Sequence, residues 1–269
     1  MTSRDVEFDE ERVWDFGSDN DTTSIPPFGD PRIDEQIREE QQEQTTPPAS
    51  PATSSTMKKL QKLMAYYLGV EVKQLEDGVF ITQEHYAKEI LKKFKMEDCK
   101  PINTPVECGV KLSKNDKGEK VDPTLYKSLV GSLRYLTCTR PDILYATGLV
   151  SRYMENPTTS HFKAAKRILR YLRGTIDYGL FYSQSNDYKL VGYSDSDWAG
   201  DNDDRKSTSG YVFYMGDTAF TWMSKKQPIV TLSTCEAEYV AATFSVCHAI
   251  WLMSLLSELG WPQKKPTTI

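Results

Sequence analysis

The chain has no disulfide framework and no zinc-type cysteine pair. Its five cysteines (Cys99, Cys108, Cys138, Cys235, Cys247) are scattered, with no C-x-x-C spacing among them. An odd, unclustered set reads as reduced thiols of an intracellular protein, cytoplasmic or nuclear. The three histidines are isolated too, which argues against a histidine-based metal cluster. No apolar run approaches the roughly 18–20 residues needed to cross a bilayer. Met1 is followed by polar residues, not by a hydrophobic signal core. No membrane partner is therefore expected. Internal repeats are missing as well.

A net excess of basic charge is also missing, since the sum is −5 over 269 residues. That sum conceals a division. Residues 1–56 hold 14 acids against 4 bases, leaving 24 acids and 29 bases in the remainder. An acidic arm is thus joined to a mildly basic body, compatible with a phosphate-bearing partner. Within the arm, residues 17–56 are rich in Asp, Glu, Gln, Thr, Ser and Pro and end near Thr45-Thr46-Pro47-Pro48. So little apolar surface cannot offset the entropy of ordering, and the segment is expected to be disordered.

Order is expected from about Leu60. Tyr66–Val72 and Val79–Thr82 flank Glu76-Asp77-Gly78 as a β-hairpin. Gln83 to Phe94 has a helical pattern, and Asp122-Pro123 opens another helix with proline in its first turn. Arg140-Pro141-Asp142 breaks that helix. Two more follow, Ile143 to Met154 and Ser160 to Leu172. From Leu180 the apolar period changes to two. Lys189–Ser194, Thr208–Met215 and Thr218–Ser224 read as strands, with Met215-Gly216-Asp217 as a tight turn. A long helix then runs from Thr234 to Leu259, with a stripe of Tyr239, Ala242, Val246, Ile250 and Met253. Pro266–Ile269 reads as the start of a further strand.

The residues that can carry chemistry lie between Lys189 and Ala242. Asp195 ends an apolar strand. Glu236 and Glu238 both suit the positive end of a helix, but residues two apart cannot share a face. Glu238, four residues before Ala242, is the better candidate for the sheet side. Oxygens of Asp195 and Glu238 could share Mg²⁺, which accepts one or two carboxylates and keeps several waters. A single acid at a strand end is more often a turn residue, so the pattern by itself is moderate. Lys163, Lys166, Arg167, Arg170 and Arg173 recur at spacings of three and four on one helix. They form a cationic face that Lys225 and Lys226 could extend, suited to nucleic-acid phosphates or simply to water. Trp198, Trp222 and Trp251 are expected to pack, not to stack on bases.

Four blocks resemble the ribonuclease H domain of copia-type LTR retrotransposon Pol polyproteins. They are Tyr193-Ser194-Asp195-Ser196-Asp197-Trp198-Ala199-Gly200, Asp204-Arg205-Lys206-Ser207-Thr208-Ser209-Gly210-Tyr211-Val212-Phe213, Trp222-Met223-Ser224-Lys225-Lys226-Gln227 and Ser233-Thr234-Cys235-Glu236-Ala237-Glu238-Tyr239. Upstream, Tyr67-Leu68-Gly69-Val70-Glu71-Val72, Tyr126 to Leu136 and Thr139-Arg140-Pro141-Asp142-Ile143 are similar to the C-terminal part of that family's reverse transcriptase. Arg167 to Thr175 resembles the connection into its nuclease. Ser3 to Glu10 is similar to the end of its integrase.

The resemblance implies four regions. Residues 1–16 are an integrase-end-like remnant and 17–56 a linker. Residues 57–180 are a mostly helical thumb- or connection-like region of a reverse transcriptase, and 181–269 a truncated ribonuclease H-like domain. The fold class implied is α+β (α/β), an incomplete ribonuclease H-like fold of a three-stranded antiparallel meander plus one long helix. Asp195 and Glu238 match the first two metal-binding acids, with Mg²⁺ as cofactor and an RNA–DNA hybrid as partner.

The Tyr-x-Asp-Asp polymerase motif is not matched, because Asp203-Asp204 is preceded by Asp201 where tyrosine belongs. The third acid is expected beyond Ile269. Two dications about 4 Å apart need the full carboxylate set, so little polymerase or nuclease activity is implied. Two other readings stand beside this one. One is a nuclease completed by another chain or by an acid such as Asp197. The other is a non-catalytic module that binds nucleic acid or element-encoded proteins. The unpaired sheet edge is also expected to favour aggregation.

Overall fold

The structure is a computed structural model and describes residues 66–184, 189–263 and 265–269. The expected integrase-end remnant and linker lie outside the described residues. All described residues belong to one compact unit.

Strands β1 (Tyr66–Tyr67), β2 (Val70–Gln74) and β3 (Gly78–Thr82) form a meander that β4 (Gly179–Ser183) joins on the β3 side. The segment read as one strand from Tyr66 to Val72 is in fact a hairpin. Tyr67 pairs with Val70, and the two turn residues Leu68 and Gly69 both have positive φ, 49° and 78°. That is the backbone of a tight primed turn. Strand β4 is the second correction. It pairs with β3 from Thr82–Gly179 to Gly78–Ser183, so the change of period at Leu180 marks the last strand of this first sheet. The expected mostly helical region thus also carries a four-stranded sheet, and the boundary expected at 180 falls within β4.

Four helices pack against one another: α1 (Glu84–Lys93), α2 (Pro123–Leu136), α3 (Leu144–Ser151) and α4 (Thr159–Gly174). Asp122 caps α2 by accepting from Thr124 N–H at 2.8 Å, and Pro123 fills the first position, where no N–H is needed. One continuous core joins these helices, including Leu91, Tyr126, Leu133, Ile143, Ile168 and Leu172. Arg140 is buried at the break after α2. Its guanidinium donates to both oxygens of Asp142 and to the Thr175 carbonyl at 2.8 Å, tying α2 to the end of α4.

The second sheet is an antiparallel meander of β5 (Leu190–Ser196), β6 (Thr208–Met215) and β7 (Thr218–Lys226), followed by α5 (Thr234–Glu258). Ser233 caps α5 by accepting from Glu236 N–H at 3.1 Å. A small core of Leu190, Phe213, Ala249, Leu252 and Leu256 holds helix to sheet. Gly192 is needed there, since a Cβ would come within 2.5 Å of the Phe213 ring. Pro266–Ile269 adds one parallel bridge, Thr268 to Val191, with Gly192 N–H donating to Thr268 O at 2.8 Å.

Two expectations about α5 change. Its sheet-facing stripe is Ala237, Ala241, Ser245, Ala249, Leu252 and Leu256. The expected stripe through Tyr239, Val246 and Ile250 faces solvent instead. Among the described residues α5 is also one helix long and apolar enough to cross a membrane. Its packing against β5 and β6 makes it a helix of this sheet in the present fold.

Candidate functional site

Side chains alternate along β5. Leu190 packs with the α5 residues, so Gly192, Ser194 and Ser196 share the helix side. Val191, Tyr193 and Asp195 lie on the other face, where Tyr193 meets Tyr214 edge-on at 5.8 Å. Asp195 is exposed there. Glu238 stands in the first turns of α5, seven residues before Ser245 and eleven before Ala249. It thus has the phase of the buried stripe, although it too is exposed.

One side chain links the two neighbourhoods. Gln227 Nε2 donates to Ser196 Oγ at 3.2 Å, to Ser209 Oγ at 2.8 Å and to the Ala237 carbonyl at 3.0 Å. The residue after Asp195 and the residue before Glu238 are therefore pinned to the same amide. Asp195 projects from the face of β5 away from α5, whereas Glu238 stands exposed near the start of α5.

This arrangement does not fit a two-ion site. Among the described residues no group of three or more His, Cys, Asp or Glu side chains could hold a metal ion. Asp197 is engaged locally. Its carboxylate accepts from Thr208 N–H and lies against Gly200, as a turn-forming acid does. No chemical step through Mg²⁺ follows from this geometry.

Several of the basic side chains expected at a nucleic-acid surface make contacts within the chain. Arg167 donates to Thr104 O and Oγ1, Arg170 to Lys100 O at 2.9 Å, and Arg173 to Glu97 O at 2.6 Å. These three guanidiniums clamp the connection between α1 and α2 onto α4, meeting carbonyls that no strand or helix satisfies. Lys166 sits over the Phe162 ring at 4.6 Å. Lys226 is bound by Asp201 at 2.9 Å and Asp204 at 2.8 Å. Burial works against its charge, but the hydrogen bonds it donates to Asp204 and Asp201 prevail and raise its pKa. Lys163 and Lys225 remain exposed.

Residues that sequence reasoning passed over hold the two halves together. Asp201 is buried and paired with Arg152 at 3.0 Å and with Lys226. Burial alone would raise the Asp201 pKa. The Lys226 hydrogen bond and the backbone N–H groups of Asp203 and Asp204 overcome it and hold the carboxyl well below its ordinary range. Asp203, half of the only Asp-Asp pair, accepts from Ser113 Oγ at 2.6 Å and Lys114 N–H at 2.8 Å. Trp222 Nε1 donates to Thr137 O at 3.0 Å, as packing predicts, whereas Trp251 is largely exposed. A cavity of about 680 Å³ lies beneath the clamped connection, lined by Val106, Leu112, Leu149 and Phe162 with Lys166 and Arg170.

No family model and no solved structure matches the chain. Curated proteins do. Over 204 residues, 76% of this chain, it is 43% identical to the retrovirus-related Pol polyprotein from transposon RE2 of Arabidopsis thaliana. Over 195 residues, 70% of the chain, it is 47% identical to that from transposon TNT 1-94 of Nicotiana tabacum. The chain spans only 14% of the length of each of these polyproteins. A shorter relative, an uncharacterized mitochondrial protein of Arabidopsis thaliana, is 40% identical over 187 residues, 77% of its own length. By these similarities the chain belongs to the family of copia-type LTR retrotransposon Pol polyproteins.

Proposed function

We propose that this polypeptide is the reverse transcriptase–ribonuclease H junction of a copia-type Pol polyprotein, with an incomplete nuclease site and no efficient hydrolysis. The carrying observation is the pinning of the Asp195 and Glu238 neighbourhoods to Gln227. A β-meander followed by a helix, with one acid on each, is the layout of a ribonuclease H-like fold. Two exposed carboxylates alone do not supply the charge that two dications require. DNA synthesis is not proposed either, since Asp203 and Asp204 are engaged in loop and ion-pair contacts. The purified chain, given an RNA–DNA hybrid and Mg²⁺, should cleave no faster than its Asp195→Asn variant. A difference between the two would refute the reading.

A second reading, weak sequence-independent binding of nucleic acid, draws on the exposed Lys163 and Lys225. With two or three phosphate contacts, affinity should fall roughly 10- to 50-fold between 50 and 200 mM salt. Filter binding at both salt concentrations measures this, and a salt-independent signal would remove the reading.

A further inference from the structure

We propose that the cavity between α3, α4 and the connection from α1 to α2 binds one small amphiphilic anion, an apolar chain ending in a single carboxylate. At about 680 Å³ it lies within the roughly 300–1,000 Å³ of small-molecule pockets. Its walls come from this chain itself. Leu149 and Val150 of α3, Phe162 of α4, and Val106, Val110 and Leu112 of the connection line it. A polar ligand body would lose its water against these walls and gain no hydrogen bonds in return. The body that fits is therefore apolar.

Charge sets the sign of the headgroup. Five cations line the cavity, Lys111, Lys163, Lys166, Arg167 and Arg170, against two acids, Glu107 and Asp116. Both acids are engaged. Glu107 lies 3.6 Å from Arg167, and Asp116 accepts from Thr158 Oγ1 at 2.7 Å and from Ser160 Oγ. Arg167 and Arg170 are occupied with backbone carbonyls of the connection. Among the described residues, neither Lys163 nor Lys166 has a carboxylate partner. These two lie three apart and are neighbours on the surface of α4. The Lys166 ammonium also sits over the Phe162 ring at 4.6 Å, so the uncompensated charge meets the apolar wall at one place. A carboxylate held between Lys163 and Lys166 leaves its chain running along Phe162 toward Leu149 and Val150. A cationic amphiphile of the same length would be repelled there.

Isothermal titration of the full chain with decanoate tests this. One site per chain is expected, with a dissociation constant on the order of 100 µM. Octanoate, shorter by two methylenes, should bind roughly 10-fold more weakly. Decylammonium should not bind at the same concentrations. Leu149→Trp, which fills the cavity, should abolish binding while helical circular dichroism is kept. If that variant does not fold, Val110→Trp provides the same reading, at a position 42% exposed. Lys163→Gln combined with Lys166→Gln should weaken binding roughly 5- to 10-fold. No binding up to about 2 mM, several sites per chain, decylammonium bound as tightly, or an affinity untouched by the tryptophan or the lysine variants would each overturn the proposal.

Discussion

The two halves of the described chain solve the same packing problem with different means. Around α1 to α4, seventeen buried side chains form a single core, and the polar connection is clamped over it by Arg167, Arg170 and Arg173. Around β5 to β7 only five side chains do the corresponding work, with Phe213 the largest. The outer face of α5 is exposed, and the edge of β5 carries a single bridge, to Thr268. The first half is supported from many sides, so its stability is distributed. The second leans on the first through Asp201, Arg152 and Trp222.

The largest expected effect tests that asymmetry. Phe213→Ala should cost about 4 kcal/mol. It should raise amide hydrogen exchange through β5–β7 while α2 and α4 stay protected. Equal loss of protection in α2 would mean that the halves unfold as one unit. Leu133→Ala, in the larger core, should cost about 3 kcal/mol and lower protection in both halves, because the sheet loses its support.

Next in size is the ion-paired bridge. Asp201→Asn leaves Arg152 and Lys226 without their shared carboxylate and should cost about 3 kcal/mol, read by denaturant unfolding. A variant as stable as the parent would show that the bridge is replaceable. A smaller effect, about 1 kcal/mol, is expected for Trp222→Phe, which removes the donor to Thr137 O.

The pH dependence has a defined sign. Asp201 has a depressed pKa in the folded chain. Its contribution is therefore present above the ordinary carboxylate value and fades as pH falls below about 4. His161 is buried, and desolvation first of all holds its pKa down, against the Ser113 carbonyl, which favours the charged ring. That contribution is present above its unfolded value and declines as pH falls through about 6.5. Melting temperatures measured from pH 7 to 5 should fall, and less so in His161→Asn. A profile unchanged by that substitution would exclude His161 as the cause.

Much of the helical half was legible in the sequence because its signals are local. Asp122-Pro123 names its own helix start, and Met215-Gly216-Asp217 its own turn. Leu68-Gly69 was missed because a leucine at positive φ gives no signal. The phase of α5 was misjudged for a different reason. With no charge from Tyr239 to Ser257, both stripes are apolar, and periodicity cannot say which one meets the sheet. The basic residues of α4 could be named from their spacing, but not their role as a clamp. Its partners are backbone carbonyls of Glu97, Lys100 and Thr104, which have no sequence signature. Asp201 was passed over because its value lies in Arg152, 49 residues away in the chain.

The acid pair shows the same division between local and long-range information. Asp195 and Glu238 could be named from their blocks, whereas the Gln227 amide that ties their neighbours Ser196 and Ala237 together has no local signal. The most direct test of the proposed incomplete site is cleavage of a labelled RNA–DNA hybrid in Mg²⁺ by the wild-type chain, beside its Asp195→Asn and Glu238→Gln variants. All three should give the same background rate. Wild-type cleavage that either substitution abolishes would contradict it.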